Sequence, residues 1–143
     1  MPFNSIEKEI KELLKNSRCI AVVGLSDKPE RDSYKVAKYL QEHGYRIIPV
    51  NPSLKNDVLG EKPYPSLKDV PGNVEIVNIF RRSEDVPAIV QEALLLKPKA
   101  IWMQLGVSNI DAAEQANKEN VLVVMNRCIK IAHGLLLGKN QQQ

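Results

Sequence analysis

Five short apolar runs, all but one pair of them separated by segments with helical periodicity, constrain this chain more than anything else in it. The runs are Cys19-Ile20-Ala21-Val22-Val23, Arg46-Ile47-Ile48-Pro49-Val50, residues 74–80, Ala100-Ile101-Trp102-Met103 and Val121-Leu122-Val123-Val124. They are too short to be helices, and they do not alternate apolar with polar residues. That is how strands buried on both faces read, and such strands belong to parallel sheets. Parallel neighbours need crossover connections, and these are right-handed.

The intervening segments supply the helices. Asn4 followed by Glu7 resembles a capping box, and Ile6, Ile10, Leu13 and Leu14 predict a helix over residues 5–16. Val36, Ala37 and Leu40 mark a second helix that stops at Gly44. Ser83 can cap a helix carrying Val86, Ile89, Val90, Ala93 and Leu94, which Lys97-Pro98 ends. Ser108 can cap one with Ile110, Ala113 and Ala116 inward, and residues 128–137 can form a last short helix. Pro49 suggests that the second strand lies at a sheet edge or ends early. Residues 51–73, rich in Pro, Gly, Asn and Lys, read as a long loop, and such loops in small domains are often functional. The expected fold is therefore α/β: a Rossmann-like, doubly wound, five-stranded parallel sheet with helices on both faces, forming one domain over residues 1–143.

Charge and cysteine content narrow the function. A net charge of +3, spread evenly, argues against a nucleic-acid surface, although cations converging at one place would attract an anionic ligand. The two cysteines, Cys19 and Cys128, lie far apart without metal-ligand spacing, so no metal site is expected, and their scarcity fits a reducing compartment. No apolar run approaches the length of a membrane span and the start is not a signal peptide, so a cytoplasmic location without membrane contact is expected.

A doubly wound sheet binds its ligand outside the carboxyl ends of its strands. After the first strand, a dinucleotide fingerprint would place glycines at 24, 26 and 29; here stand Gly24, Ser26 and Pro29, so an ordinary NAD turn is not expected. A phosphate site still is. Gly24 allows a sharp exit with Leu25 behind it, Ser26 and Ser33 offer hydroxyls, Lys28 and Arg31 offer cations, and the next helix offers free N–H groups. Asp32 or Ser33 could instead be plain helix caps. The second strand ends in Val50-Asn51-Pro52, with no carboxylate between Glu42 and Asp57 to hold an NAD ribose. That absence tolerates a ribose phosphate, as in NADP or coenzyme A, although Asn51-Pro52 also reads as a simple turn. Phe80-Arg81-Arg82 ends the third strand with an aromatic face beside two guanidinium groups, suited to adenine and phosphate or equally to core and solvent. At the fourth strand end, alternation puts Trp102 and Gln104 on one side and Met103 on the other; Gln104 can bond a pantetheine amide. Cys128 reads as a buried small hydrophobe or a thiol near the ligand, and neither His43 nor His133 suggests a catalytic pair.

Taken together, Val23-Gly24-Leu25-Ser26 with Pro29, Arg31, Ser33 and Tyr34, then Gly44-Tyr45, Pro49-Val50-Asn51-Pro52, Phe80-Arg81, Trp102-Met103-Gln104-Leu105-Gly106 and Cys128 resemble the small stand-alone CoA-binding domain family. That family is similar to the amino-terminal domain of the succinyl-CoA synthetase α subunit. The resemblance spans about residues 16–134. It implies Gly24, Ser26, Arg31 and Ser33 near phosphates, Asn51 and Pro52 near the nucleotide, Phe80 and Arg81 beside adenine and pyrophosphate, and Gln104 along the pantetheine arm. The synthetase's second domain has no counterpart here. The expectation is a protein that binds coenzyme A or an acyl-CoA and has no catalytic residue of its own, alone, as a homo-oligomer or beside an acyl-CoA enzyme. An NADP-dependent reductase or a nucleotide-binding synthetase subunit is the alternative. A receiver-like signalling domain would need acidic residues where Gly24-Leu25-Ser26 and Phe80-Arg81 stand.

Overall fold

In a computed structural model, which describes residues 2–138, the five apolar runs form one parallel sheet. The strands are β1 (Cys19–Val23), β2 (Arg46–Val50), β3 (Ile76–Ile79), β4 (Ala100–Met103) and β5 (Leu122–Val124), in the order β2-β1-β3-β4-β5. The helices are α1 (Pro2–Asn16), α2 (Asp32–Glu42), α3 (Val86–Leu95), α4 (Ile110–Lys118) and α5 (Ile129–His133), the last continuing as a π-type turn over Gly134–Gly138. The architecture is Rossmann-like.

Side-chain alternation divides the core into two layers. Cys19, Ala21 and Val23 of β1 face the layer that buries Val86, Val90 and Ala93 of α3 and Ala112 and Ala116 of α4. Ile20 and Val22 face the other, with Ile10 and Leu14 of α1, Val36 and Leu40 of α2, and Ile129 and Ala132 of α5. Every β1 residue is buried, which is why that run carries no polar position.

β2 is the edge strand, as Pro49 requires; beyond it Tyr64 closes a short parallel bridge to Val50. α2 stops where expected, with Gly44 at φ +95°. The caps differ from the sequence expectation. Asn4 lies inside α1 rather than before it. Ser33 lies inside α2, where its hydroxyl accepts the Ser26 N–H (3.0 Å). Ser83 opens a 3-10 turn ahead of α3 and accepts the Ser108 N–H instead. The cap of α4 is Asn109, whose side chain accepts from Ala112 N–H (3.0 Å). Ser33, Ser83 and Asn109 each found a backbone N–H away from the position the spacing suggested, because these side chains serve any nearby backbone N–H.

Candidate functional site

The chain leaves β1 toward β2 and later returns to β3 on the other side of β1, so the switch point lies between the ends of β1 and β3. Gly24 and Phe80-Arg81 occupy those ends. The register pairs Val23 with Ile79, and Phe80 N–H donates to the Val23 carbonyl (2.8 Å), so Gly24 and Phe80 sit level. Gly24 has φ +90°, and a Cβ there would lie 2.3 Å from the Phe80 carbonyl oxygen and 3.1 Å from Arg81 Cδ. Only glycine allows this approach. The Arg81 stem is thereby laid across the Gly24 backbone, at the mouth of the switch-point crevice.

The crevice is held open by local bonds. Gly24 N–H donates to the Val50 carbonyl (2.8 Å). Asn51 Nδ2 donates to the Leu25 carbonyl (3.1 Å), and its Oδ1 accepts the Ser53 N–H (3.0 Å). Ser26 Oγ accepts the Lys28 N–H (3.1 Å). Arg31 caps α2 with its backbone only, so no side chain covers the helix N-terminus. The Ser26 and Ser33 hydroxyls accept backbone N–H groups and keep their own protons to donate.

Three cavities run along this rim. The first, about 350 Å³, lies between the ends of β1 and β2, the loop at Pro65-Ser66-Leu67 and the α3 face at Ala88 and Ile89; Arg81, Glu84, Asp85 and Glu92 complete it. The second, about 470 Å³, runs over Phe80, Arg82, Gln104 and Val107 and shares Arg81 and Asp85 with the first. The third, about 380 Å³, lies on the α2–α5 side and shares Phe80, Gln104 and Leu105 with the second. The three cavities therefore adjoin one another across the strand ends, with Arg81 between the first and second and Phe80 with Gln104 between the second and third. The carboxylates lie along the α3 wall of the first chamber, while its Val50-Asn51-Pro52 side carries none and Arg81 supplies a cation. The Arg81 side chain is 45% exposed, and its Nη2 stands 3.7 Å from Asp85 Oδ2, which leaves it able to meet an anion.

Gln104 is 6% exposed yet lines the second and third cavities. Its Oε1 accepts from Asn78 Nδ2 and from Ile129 N–H, both at 3.3 Å. The backbone donor fixes that atom as the oxygen. Among the described residues Nε2 has no protein acceptor, and it is the group left for a ligand carbonyl.

The remaining sequence-derived residues divide plainly. Val50, Asn51 and Pro52 line the first chamber, with both Asn51 polar groups engaged in the turn. Arg82 is exposed and lies near Glu84 (3.6 Å) and Asp85 (3.5 Å). Lys28 and Arg31 are exposed on the loop before α2 and line none of the three cavities. Tyr34 packs against the α2-side core layer. Leu25 and Met103 are fully buried, Leu25 among the α2-side residues and Met103 on the α3–α4 side, so only their backbone atoms remain for a ligand. Cys128 is half-buried and lines the third cavity, whereas Cys19 is buried at the opposite end of β1. Sequence reasoning missed Asn78, a buried amide in mid-strand, and the α3 carboxylates. Asn78 was detectable as the one polar residue among the apolar residues 76–80; the carboxylates carried no signal, because α3 reads simply as amphipathic.

At the far end of the sheet, His133 Nδ1 and the Tyr39 hydroxyl share a hydrogen bond (2.8 Å), with the His43 ring 5.0 Å away. Burial, and then the charge of His43, hold His133 below the ordinary histidine range. The unfolded chain takes up this proton near pH ~6.5, where the folded chain does not, so stability should fall as pH drops through that value. Thermal melts should show Tm falling from pH 7.5 to 5.5 in the wild type and falling less in His133→Gln; equal pH dependence in the two proteins would contradict the assignment.

Among the described residues there is no group of three or more His, Cys, Asp or Glu side chains able to hold a metal, and no helix is long and apolar enough to cross a membrane.

Comparison with known proteins gives the groove its family. Residues 18–134 match the model of the CoA binding domain. The chain is 45% identical over 132 residues to protein YneT of Bacillus subtilis, covering 92% of this chain and 97% of that one. It is 42% identical over 65 residues to the α subunit of ADP-forming acetate–CoA ligase II of Pyrococcus furiosus, covering 45% of this chain but 14% of that subunit. A solved protein from Pyrococcus horikoshii superposes with a TM-score of 0.88 at 40% identity, covering 92% of each chain. One from Thermus thermophilus superposes with a TM-score of 0.88 at 31% identity, covering 92% of this chain and 98% of that one. A switch point closed by Gly24 and Arg81, together with relatives of the same length and fold, means that this chain belongs to the CoA-binding domain family, which is related to acyl-CoA synthetase α subunits.

Proposed function

We propose that this protein binds coenzyme A or an acyl-CoA along the groove across its strand ends, and catalyses no reaction by itself. The observation that carries the reading is the Arg81 side chain laid against Gly24, where it joins the first chamber to the second. The adenosine would occupy the first chamber, between Pro52, Pro65 and Ile89. The pyrophosphate would meet Arg81, the uncovered N-terminus of α2 and the Ser26 and Ser33 hydroxyls, with Lys28 and Arg31 adding cations from the flanking loop. The pantetheine arm would pass Phe80, and one of its amide carbonyls would accept from Gln104 Nε2. Cytoplasmic residence fits such a ligand. Among the described groove residues no nucleophile has a base in hydrogen-bond reach, which supports a protein that holds and orients its ligand.

Similarity to an acetate–CoA ligase α subunit favours a second reading, in which the protein serves as the nucleotide-binding part of an acyl-CoA synthetase assembly. Isothermal titration separates these from a reductase. Coenzyme A should bind, and NADPH should bind at least tenfold more weakly. No heat with coenzyme A at millimolar concentration would end the proposal; tighter binding of NADPH would favour the reductase. Pull-down of an ATP-grasp partner would support the synthetase reading.

A further inference from the structure

Two large apolar side chains that stand exposed, Leu105 (65%) and Ile131 (56%), line the same cavity. That cavity is the third chamber, about 380 Å³, and it is the end of the groove farthest from the nucleoside slot. Exposed leucine and isoleucine bordering a concavity mark a surface that gains by being covered. Its walls include Val36 of α2 and Phe80 of β3's end, so the apolar lining comes from four separate elements and loops. The chamber opens directly past Gln104, whose amide nitrogen is the last unmatched polar group along the route. The strand ends step about 4.8 Å apart, so passage from β1 across β3 to β4 covers ~10 Å, within the reach of an extended pantetheine arm.

Resting on the proposed function, we infer that the third chamber is an acyl subsite, and that the ligand is an acyl-CoA with an apolar chain rather than free coenzyme A. Gln104 Nε2 donates to a carbonyl of the arm or of the thioester, and the chain lies against Val36, Leu105 and Ile131. The free thiol of coenzyme A would leave those side chains facing water; an acyl chain covers them. Lys35 and Lys130 also line the mouth, but the Lys130 ammonium sits over the Tyr39 ring, 5.5 Å from its centroid. A chain ending in a carboxylate would meet these two ammonium groups beside the Asp32 carboxylate, so succinyl-CoA is the competing acyl class.

Titration calorimetry with coenzyme A, acetyl-CoA, butyryl-CoA, hexanoyl-CoA and succinyl-CoA tests this directly. Affinity should rise from acetyl to hexanoyl by about two- to fourfold for each methylene. Leu105→Asp and Ile131→Asp, both at exposed positions that leave folding intact, should abolish that gain, and Ile131→Asp, which lies outside the first two chambers, should leave affinity for free coenzyme A unchanged. Equal affinity for free coenzyme A and hexanoyl-CoA would overturn the acyl subsite while leaving coenzyme A binding in place. Strongest binding of succinyl-CoA would overturn the apolar assignment, and a chain-length gain that survives both substitutions would overturn its location. Failure of every one of these ligands to bind would instead refute the function on which the inference rests.

Discussion

Gly24→Ala should be the most damaging single methyl in this protein. It should lower stability by about 3 kcal/mol, from backbone strain at an unfavourable φ together with overpacking against a neighbour that cannot yield. The neighbour is the Phe80 carbonyl oxygen, 2.3 Å from the added carbon, and it belongs to a backbone already bonded to Val23. Gly44→Ala is the natural comparison. Its φ is similarly positive, at +95°, but nothing lies within 4 Å of the added carbon, so only the strain remains and the cost should be about 1 kcal/mol. Urea unfolding should show both midpoints shifted at unchanged slope, with the Gly24 variant shifted further. Where Gly24→Ala stays folded at low temperature, it should also lose coenzyme A, because separating Gly24 from Phe80 displaces Arg81. Equal costs at the two glycines would show that the close approach of β1's exit to β3's exit is not a constraint.

Arg81→Ala should weaken coenzyme A binding about 10- to 100-fold, the range expected for loss of a charge-assisted hydrogen bond to a phosphate. Its stability should stay within about 0.5 kcal/mol of wild type, since the side chain is half-exposed and its contact with Asp85 is long. Arg82→Ala should change affinity by less than about threefold, because that guanidinium is 75% exposed and faces Glu84 and Asp85. The contrast separates a specific contact from general positive charge. Equal losses at both arginines would mean that the ligand feels only the field of the rim.

Much of the fold was legible before any coordinates. Each strand appeared as an apolar run because both faces of the sheet are covered, and the two wound layers followed from the helical segments between them. Cap positions were less legible: Ser108 and Asn109 are chemically equivalent candidates one residue apart, and only tertiary packing selects Asn109. The rim of the site was legible through Gly24, Asn51, Arg81 and Gln104, since strand ends are known once strands are known. Leu25 and Met103 illustrate the limit. Both adjoin rim residues in sequence, but a side chain's direction depends on alternation past the strand end, where the period of two no longer holds it. The α3 wall of the first chamber was hidden for another reason, since Glu84, Asp85 and Glu92 look like ordinary solvent-facing residues until the loop at Pro65 is seen to form another wall of the same cavity.

Backbone amide chemical shifts recorded during a coenzyme A titration test the central claim most directly. The largest changes should fall at Gly24, Ser26, Phe80 and Arg81, with Gln104 and Ile129 moving as the arm engages. The opposite end of the sheet holds a basic cavity of about 570 Å³ lined by Lys11, Lys15, Arg18 and His43, which offers an anion a competing site. Shifts confined to those four residues, with Gly24 and Arg81 unmoved at saturation, would contradict ligand binding at the switch point.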